Sequence, residues 1–214
     1  MRLLILSHAL FGGAMAADID LFDLSKLDLV RCEASVTTFK GKRALQVRAT
    51  PQTGGNVGAL VIVRDSEFQD GEFEVELAGE PGPGAAAAAR GFVGMAFRVA
   101  DGGTYEAIYL RPTNGRAEDQ VRRNHSVQYE SLPDFPWSRL RKEFPEKYET
   151  YVDLQPATWT RYRLVAQGAK VALHVHGAVQ PTILVTDARS TRTGRIALWV
   201  GPGTVAHFAG LSVK

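Results

Sequence analysis

The sequence predicts an all-β fold, a sandwich or a barrel, and three observations carry that expectation. Apolar and polar residues alternate with a period of two in short runs along the chain. Gly, Pro, Asp and Asn punctuate those runs at close spacing. No long segment shows a competing period of 3.6 residues. Strands that recur at short intervals without helices between them must bury their apolar faces against each other. The chain has 214 residues, a length at which an all-β domain builds its own core. One domain is expected over residues 17–214.

The elements follow in order. Arg43-Ala44-Leu45-Gln46-Val47-Arg48 alternates strictly. So does Glu72-Phe73-Glu74-Val75-Glu76-Leu77, with Phe73, Val75 and Leu77 facing inward. Phe92 to Val99 is longer and more apolar, and Asp101-Gly102-Gly103 turns it into Tyr105 to Arg111. A short strand is expected near Ser126 to Ser131. Further strands are Thr160 to Ala166, Val171 to His176, Ile183 to Thr186, Arg195 to Val200 and Val205 to Val213. Gln167-Gly168 and Gly201-Pro202-Gly203 have hairpin chemistry. The inward phase picks out Phe73, Val75, Leu77, Val93, Phe97, Leu164, Val171, Leu173, Ile196 and Leu198 as core. Two segments break the pattern. Glu80 to Ala89 is rich in Gly, Pro and Ala and reads as a surface loop without a function. Pro112 to Tyr151 is long and polar, and a connection of that length in a compact domain is usually functional.

Composition narrows the function classes. Hydrophobic residues make up 45% and charged residues 22% of the chain, ordinary globular usage that excludes a disordered or collagen-like chain. A net charge of +2 gives no reason to expect nucleic acid as a partner. No run of 18 apolar residues is present to span a membrane. The first residues have the order of an export signal: Met1-Arg2, an apolar run from Leu3 to Phe11, then Ala14-Met15-Ala16 as a small-residue cleavage site. Residues 1–16 are therefore expected to be removed and the protein to be periplasmic or secreted. Cys32 is the single cysteine, which excludes an intrachain disulfide and suits a small buried hydrophobe.

The polar segment and the strand before it hold the candidate chemistry. A sugar presents hydroxyls in fixed directions and weakly apolar ring faces, so its site needs planar donors and acceptors beside an aromatic platform. Tyr109, Arg111, Asn114, Arg123, Asn124, Tyr129 and Trp137 are the expected ligand-binding residues. Tyr109, Arg111, Asn114, Asp119, Arg123, Asn124, His125 and Trp137 are expected to line one cleft on the concave sheet. In the strand, Tyr105, Ala107, Tyr109 and Arg111 share one face, and Glu106, Ile108 and Leu110 the other. Glu106 is then a carboxylate among apolar neighbours: either a general acid with a raised pKa or one half of an arginine pair. Asp119 and His125 form a candidate acid–base pair. Glu72, Glu74 and Glu76 line one strand face, at a spacing that permits but does not require catalysis. His174 and His176 recur at i and i+2 without a visible third ligand, so no metal site is expected. No phosphate loop, dinucleotide fingerprint or Ser-His-Asp order implies a cofactor or a nucleophile.

Tyr109-Leu110-Arg111-Pro112-Thr113-Asn114, Asp119-Gln120 and Arg122-Arg123-Asn124-His125 resemble bacterial exported laminin-G-like proteins grouped near the keto-disaccharide hydrolases. Trp159, Asp187, Ile196-Ala197-Leu198-Trp199 and Gly201-Pro202-Gly203-Thr204 fit the same group. The likeness spans most of residues 25–213. It implies a two-sheet antiparallel jelly roll of the concanavalin A-like lectin and glucanase kind. The Asn-Ser-Gly element of those hydrolases is replaced here by Glu106-Ala107-Ile108. The Glu-x-Asp-x-x-Glu motif of family 16 glucanases is absent. The resemblance thus implies a fold and a glycan or small sugar as partner, and leaves three functions open: a glycan-binding domain, a glycoside hydrolase, for which two of Glu106, Glu118, Asp119 and Glu130 are the candidate carboxylates, or a structural or protein-interaction domain.

Overall fold

Fifteen strands appear in the computed structural model, which describes residues 16–50 and 57–214. The expected export segment lies outside the described residues as far as Met15. The strands are β1 (Ala17–Ile19), β2 (Leu27–Val30), β3 (Cys32–Phe39), β4 (Lys42–Ala49), β5 (Ala59–Val63), β6 (Gly71–Pro81), β7 (Val93–Ala100), β8 (Thr104–Leu110), β9 (Val127–Leu132), β10 (Glu149–Thr150), β11 (Thr160–Gln167), β12 (Lys170–Val175), β13 (Ile183–Val185), β14 (Arg195–Val200) and β15 (Thr204–Val213). Two short helices, α1 (Gln120–Asn124) and α2 (Trp137–Glu143), interrupt them. One sheet has the order β13-β12-β11-β6-β15-β4-β3, with β1 added along β15; the other has the order β10-β9-β8-β7-β14-β5-β2. Every strand pairing is antiparallel.

The two sheets face each other across one apolar layer, which makes the fold a jelly-roll sandwich. All ten residues assigned inward by alternation are at most 1% exposed. Phe73 and Tyr162 stack in this layer, and the Tyr162 hydroxyl donates to the Ile108 carbonyl at 2.9 Å, so burying the phenol leaves no polar atom stranded. Leu198, at the centre of β14, is completely buried. Leu198→Ala should lower the unfolding free energy by about 2–5 kcal/mol, the range for a large-to-small change in a packed core. Urea unfolding followed by tryptophan fluorescence measures it; a loss below about 1 kcal/mol would mean that the site collapses around the alanine.

Strict alternation fails at Arg98. Register shifts in β7 against both β8 and β14 mark a bulge there, and Arg98 takes φ 52°. A bulge re-aims a side chain, and this one sends a guanidinium inside, where it is 0% exposed. Its Nε donates to the Gln69 carbonyl at 2.8 Å, Nη2 to the Gly168 carbonyl at 2.7 Å and Asp70 Oδ1 at 3.1 Å, and Nη1 to the Ser190 carbonyl and to Glu106 Oε2, the last at 2.8 Å. Glu106 is equally buried. It also accepts from the Tyr129 hydroxyl and from the backbone N–H groups of Arg189 at 3.0 Å and Ser190 at 3.3 Å. Of the two readings of Glu106, the arginine pair is the one realised.

The long polar segment is not an open loop. It folds into α1, β9, α2 and β10 at the edge of the second sheet. Among the described residues no helix is long and apolar enough to cross a membrane.

Candidate functional site

The outward face of the second sheet carries its own apolar cluster, which includes Leu60, Ile62, Tyr105, Ala107, Tyr109 and Trp199. One level of this face reads Val30, Leu60, Trp199, Gly94, Tyr109, Gln128 and Glu149 across seven paired strands. Gly94 separates the two aromatics in that row. With no side chain between them, the Trp199 and Tyr109 rings stack at 4.2 Å and 11°. A Cβ at Gly94 would lie 2.8 Å from Tyr109 Cβ, so this contact depends on glycine. The row passes from apolar to charged as it reaches the β9–β10 edge.

Over this face lies a cleft of about 1360 Å³. Its floor includes Tyr109 and Trp199. One wall carries Arg111, Asn114, Asp119, Arg122 and His125, and Trp137 and Arg141 of α2 close it. A second wall is formed by residues 82–86 and 88–90 of the loop after β6 together with Pro202 to Val205. Trp137 is half-buried, with the guanidinium carbons of Arg141 and Arg111 4.8 and 5.8 Å from its ring centroid.

Glu149 anchors the charged wall. Its side chain is 3% exposed and meets two guanidiniums and an imidazole: Arg141, Arg111 at 3.3 Å, and His125, whose Nδ1 lies 2.8 Å from Oε2. The His125 contact is an ion-pair distance without hydrogen-bond alignment. Burial pushes the Glu149 carboxyl up, but the Arg141 hydrogen bond and the charges of Arg111, Arg141 and His125 together hold it below the usual range, so it stays ionised. His125 is lowered by burial, against the pull of Glu149, and is therefore neutral at pH 7. Arg111 also donates to the His125 carbonyl at 3.0 Å, Gln128 Oε1 at 3.1 Å and the Tyr109 hydroxyl at 3.2 Å. Asn114 donates to the same His125 carbonyl at 3.0 Å and accepts from Arg122 Nε at 3.0 Å. These bonds fix the planar groups on this wall before any ligand arrives.

One level deeper on the same face, Glu130 stands opposite Ala107. It is 2% exposed and its Oε1 has no partner among the described residues. Burial pushes this carboxyl up to about 7, partly opposed by the Trp137 backbone N–H and the charge of Arg111. Two carboxyl groups on neighbouring strands thus have environments that move them in opposite directions.

Of the eight residues expected in the cleft, Tyr109, Arg111, Asn114, Asp119, His125 and Trp137 line it. Arg123 instead ties down its own loop, donating to the Ala117 and Glu118 carbonyls and to Gln120 Oε1. Asn124 is exposed and accepts from Gln120 at 2.7 Å. Tyr129 was expected to bind ligand but has the inward phase of β9, beside Glu106 in the core. Glu106 lies on that inner face too, away from the cleft. Asp119 caps α1, accepting from the Arg122 backbone N–H at 2.6 Å, and makes no contact with His125 among the described residues. The Glu72, Glu74 and Glu76 row is occupied by Arg163, Arg161 and Lys42 on the other sheet. His176 falls just beyond β12 at φ 58°, so it does not share a strand face with His174. Sequence reasoning missed Trp199, Glu149 and the Gly82–Arg90 wall.

No protein-family model matches the chain, and no curated protein matches it. Solved structures do. The chain is similar to the carbohydrate-binding module CBM66 from Bacillus subtilis, with a TM-score of 0.59 at 12% identity over 87% of this chain and 93% of that one. It is similar to a Bacillus subtilis protein of unknown function with a galectin-like fold, with a TM-score of 0.57 at 12% identity over 90% of each. It is also similar to a prokaryotic β-1,3-1,4-glucanase (lichenase) from a mouse hindgut metagenome, with a TM-score of 0.53 at 16% identity over 94% and 98%. These likenesses establish the concanavalin A-like fold.

Proposed function

We propose that the protein is a glycan-binding domain whose ligand lies in the cleft over the second sheet. The observation that carries this reading is the pairing of a half-buried aromatic platform, Trp137, with planar groups already held by bonds to their own surroundings, Arg111 and Asn114. Sugars need both kinds of group, and a wall that is rigid in advance loses little entropy on binding. Similarity of fold to a carbohydrate-binding module and to a glucanase supports the same partner class.

A glycan array probed with the wild-type protein and an Arg111→Ala, Trp137→Ala variant tests the reading. Binding to some glycan is expected, with at least a tenfold loss in the variant. Equal binding by the variant would remove the cleft from consideration.

The second reading, a glycoside hydrolase, is favoured by one observation: Glu149 is held ionised while Glu130 is pushed up to about 7. Pairs driven apart in this way supply an acid and a base. Binding ranks first because Glu130 is shut away from the cleft lining. Release of reducing sugar by the wild type, abolished in Glu149→Gln, would reverse the order.

A further inference from the structure

We propose that the glycan taken by this cleft is anionic, with a carboxylate or sulfate group seated between Arg90 and Arg122. The inference rests on reading the cleft as a glycan site and names the class of glycan. Arg48, Arg90, Arg111, Arg122 and Arg141 line the cleft, facing the carboxylates of Glu33, Asp119 and the bordering Glu149. Five guanidiniums against three carboxylates leave the site positive, with His125 neutral.

The excess has a definite location. Glu149 is shared by Arg111 and Arg141, whereas Arg48, Arg90 and Arg122 form no ion pair among the described residues; Arg48 lies across from Glu33 in the β3–β4 pairing and donates to Gln46, which leaves Arg90 and Arg122 as the adjacent pair without a carboxylate beside them. The residues outside the description, 1–15 and 51–56, contain no Asp or Glu that could supply one. Both arginines are tethered by neutral acceptors. Arg90 Nη1 donates to the Ala87 and Ala89 carbonyls at 2.6 and 3.0 Å. Arg122 donates through Nε to Asn114 and through Nη2 to the Thr113 carbonyl at 3.2 Å. Thr113 links the two, since its N–H donates to the Arg90 carbonyl at 3.2 Å. Arg90 Nε and Nη2 and Arg122 Nη1 have no acceptor among the described residues. Asp119 caps α1 at this end of the cleft and is turned to the helix backbone.

Positive charges held together without a counter-ion repel each other. Burial first, and then the charges of Arg122 and Arg111, pull the Arg90 guanidinium below its ordinary range. An anion placed between Arg90 and Arg122 relieves that repulsion and takes up the spare N–H groups in the forked geometry that carboxylate and sulfate oxygens match. A neutral sugar satisfies the hydroxyl-binding wall and leaves this end unpaired.

Calorimetric titration of the full chain tests the inference with four probes: tetragalacturonate, its methyl ester, a sulfated galactan tetrasaccharide, and the same tetrasaccharide after desulfation. At least one charged probe should bind tenfold or more tighter than its uncharged counterpart. That preference should vanish in Arg90→Gln, Arg122→Gln, and should weaken between 20 and 200 mM salt. The pair that discriminates identifies carboxylate or sulfate as the group read. Arg122→Gln alone, with an unchanged circular-dichroism spectrum, guards against misfolding of the double variant and should lose part of the preference. Equal affinity within both pairs, or a preference that survives the double variant, overturns the inference. If neutral glycans bind as tightly as their charged counterparts and Trp137→Ala abolishes that binding, the glycan reading stands and the anionic one falls. If neither these probes nor a glycan array shows binding, both fall.

Discussion

Arg98→Met should lower the unfolding free energy by about 3–5 kcal/mol at pH 7, the range for removing one partner of a buried ion pair. Arg98 and Glu106 are both 0% exposed, so nothing from solvent replaces the guanidinium. Three backbone carbonyls, of Gln69, Gly168 and Ser190, lose their donor in the same substitution. Methionine keeps a comparable length and is also subject to the left-handed backbone at φ 52°, so the loss reads the side-chain contacts. Adding Glu106→Gln should recover part of the loss, because the orphaned charge disappears while Tyr129 and the Arg189 and Ser190 backbone still find an acceptor. Urea unfolding of both single variants and the double variant gives the coupling. Additive effects would show that Arg98 acts through the carbonyls and not through Glu106.

The same pair shows how far the sequence could be read. Alternation assigned Glu106 to the inner face of its strand, which is correct, and the presence of a carboxylate among Ile108 and Leu110 required a partner. The partner itself was not legible. Arg98 sits at a position that strict alternation sends outward, and only the bulge between Phe97 and Ala100 turns it in. Side-chain type alone places Tyr129 with the cleft residues, whereas pairing with Ile108 puts it on the core side. Period-two logic applied to β9 from Gln128 and Glu130 would have separated the faces.

Other parts of the site depend on long-range pairing. Trp199 and Tyr109 are 90 positions apart and meet because β14 and β8 flank β7, where Gly94 leaves the space. Glu149 belongs to a two-residue strand, too short to show alternation, and its role follows from the convergence of Arg111, His125 and Arg141 on it. The alanines Ala85, Ala86, Ala88 and Ala89 carry no chemistry in sequence; they form a wall because Pro81 ends β6 beside the turn at Gly203. By contrast, six cleft residues were legible, because Tyr109 and Arg111 share a strand phase and the segment after them is dense in planar polar groups.

Glu130→Gln should stabilise the protein at alkaline pH and leave it nearly unchanged at acidic pH. The folded state keeps Glu130 protonated up to about 7, against an ordinary value of 4.5. Below pH 4.5 the carboxyl is protonated in both folded and unfolded chains, and burial of the neutral acid costs little extra. Between 4.5 and 7 the unfolded chain releases the proton while the folded one retains it. The folded state then binds more protons, so the contribution of this group to stability falls as pH rises and levels off above the folded value. A displacement of that size corresponds to about 3 kcal/mol at pH 8. Glutamine keeps the shape and the acceptor for the Trp137 backbone N–H but has no charge to bury. The gain of the variant over wild type, measured by urea unfolding at pH 4, 6 and 8, should therefore grow from near zero to about 3 kcal/mol. A gain that is flat across this range would mean that Glu130 ionises freely in the folded protein, which requires a path for water past Trp137. Such a path would bring Glu130 within reach of the cleft and strengthen the hydrolase reading at the expense of the binding one.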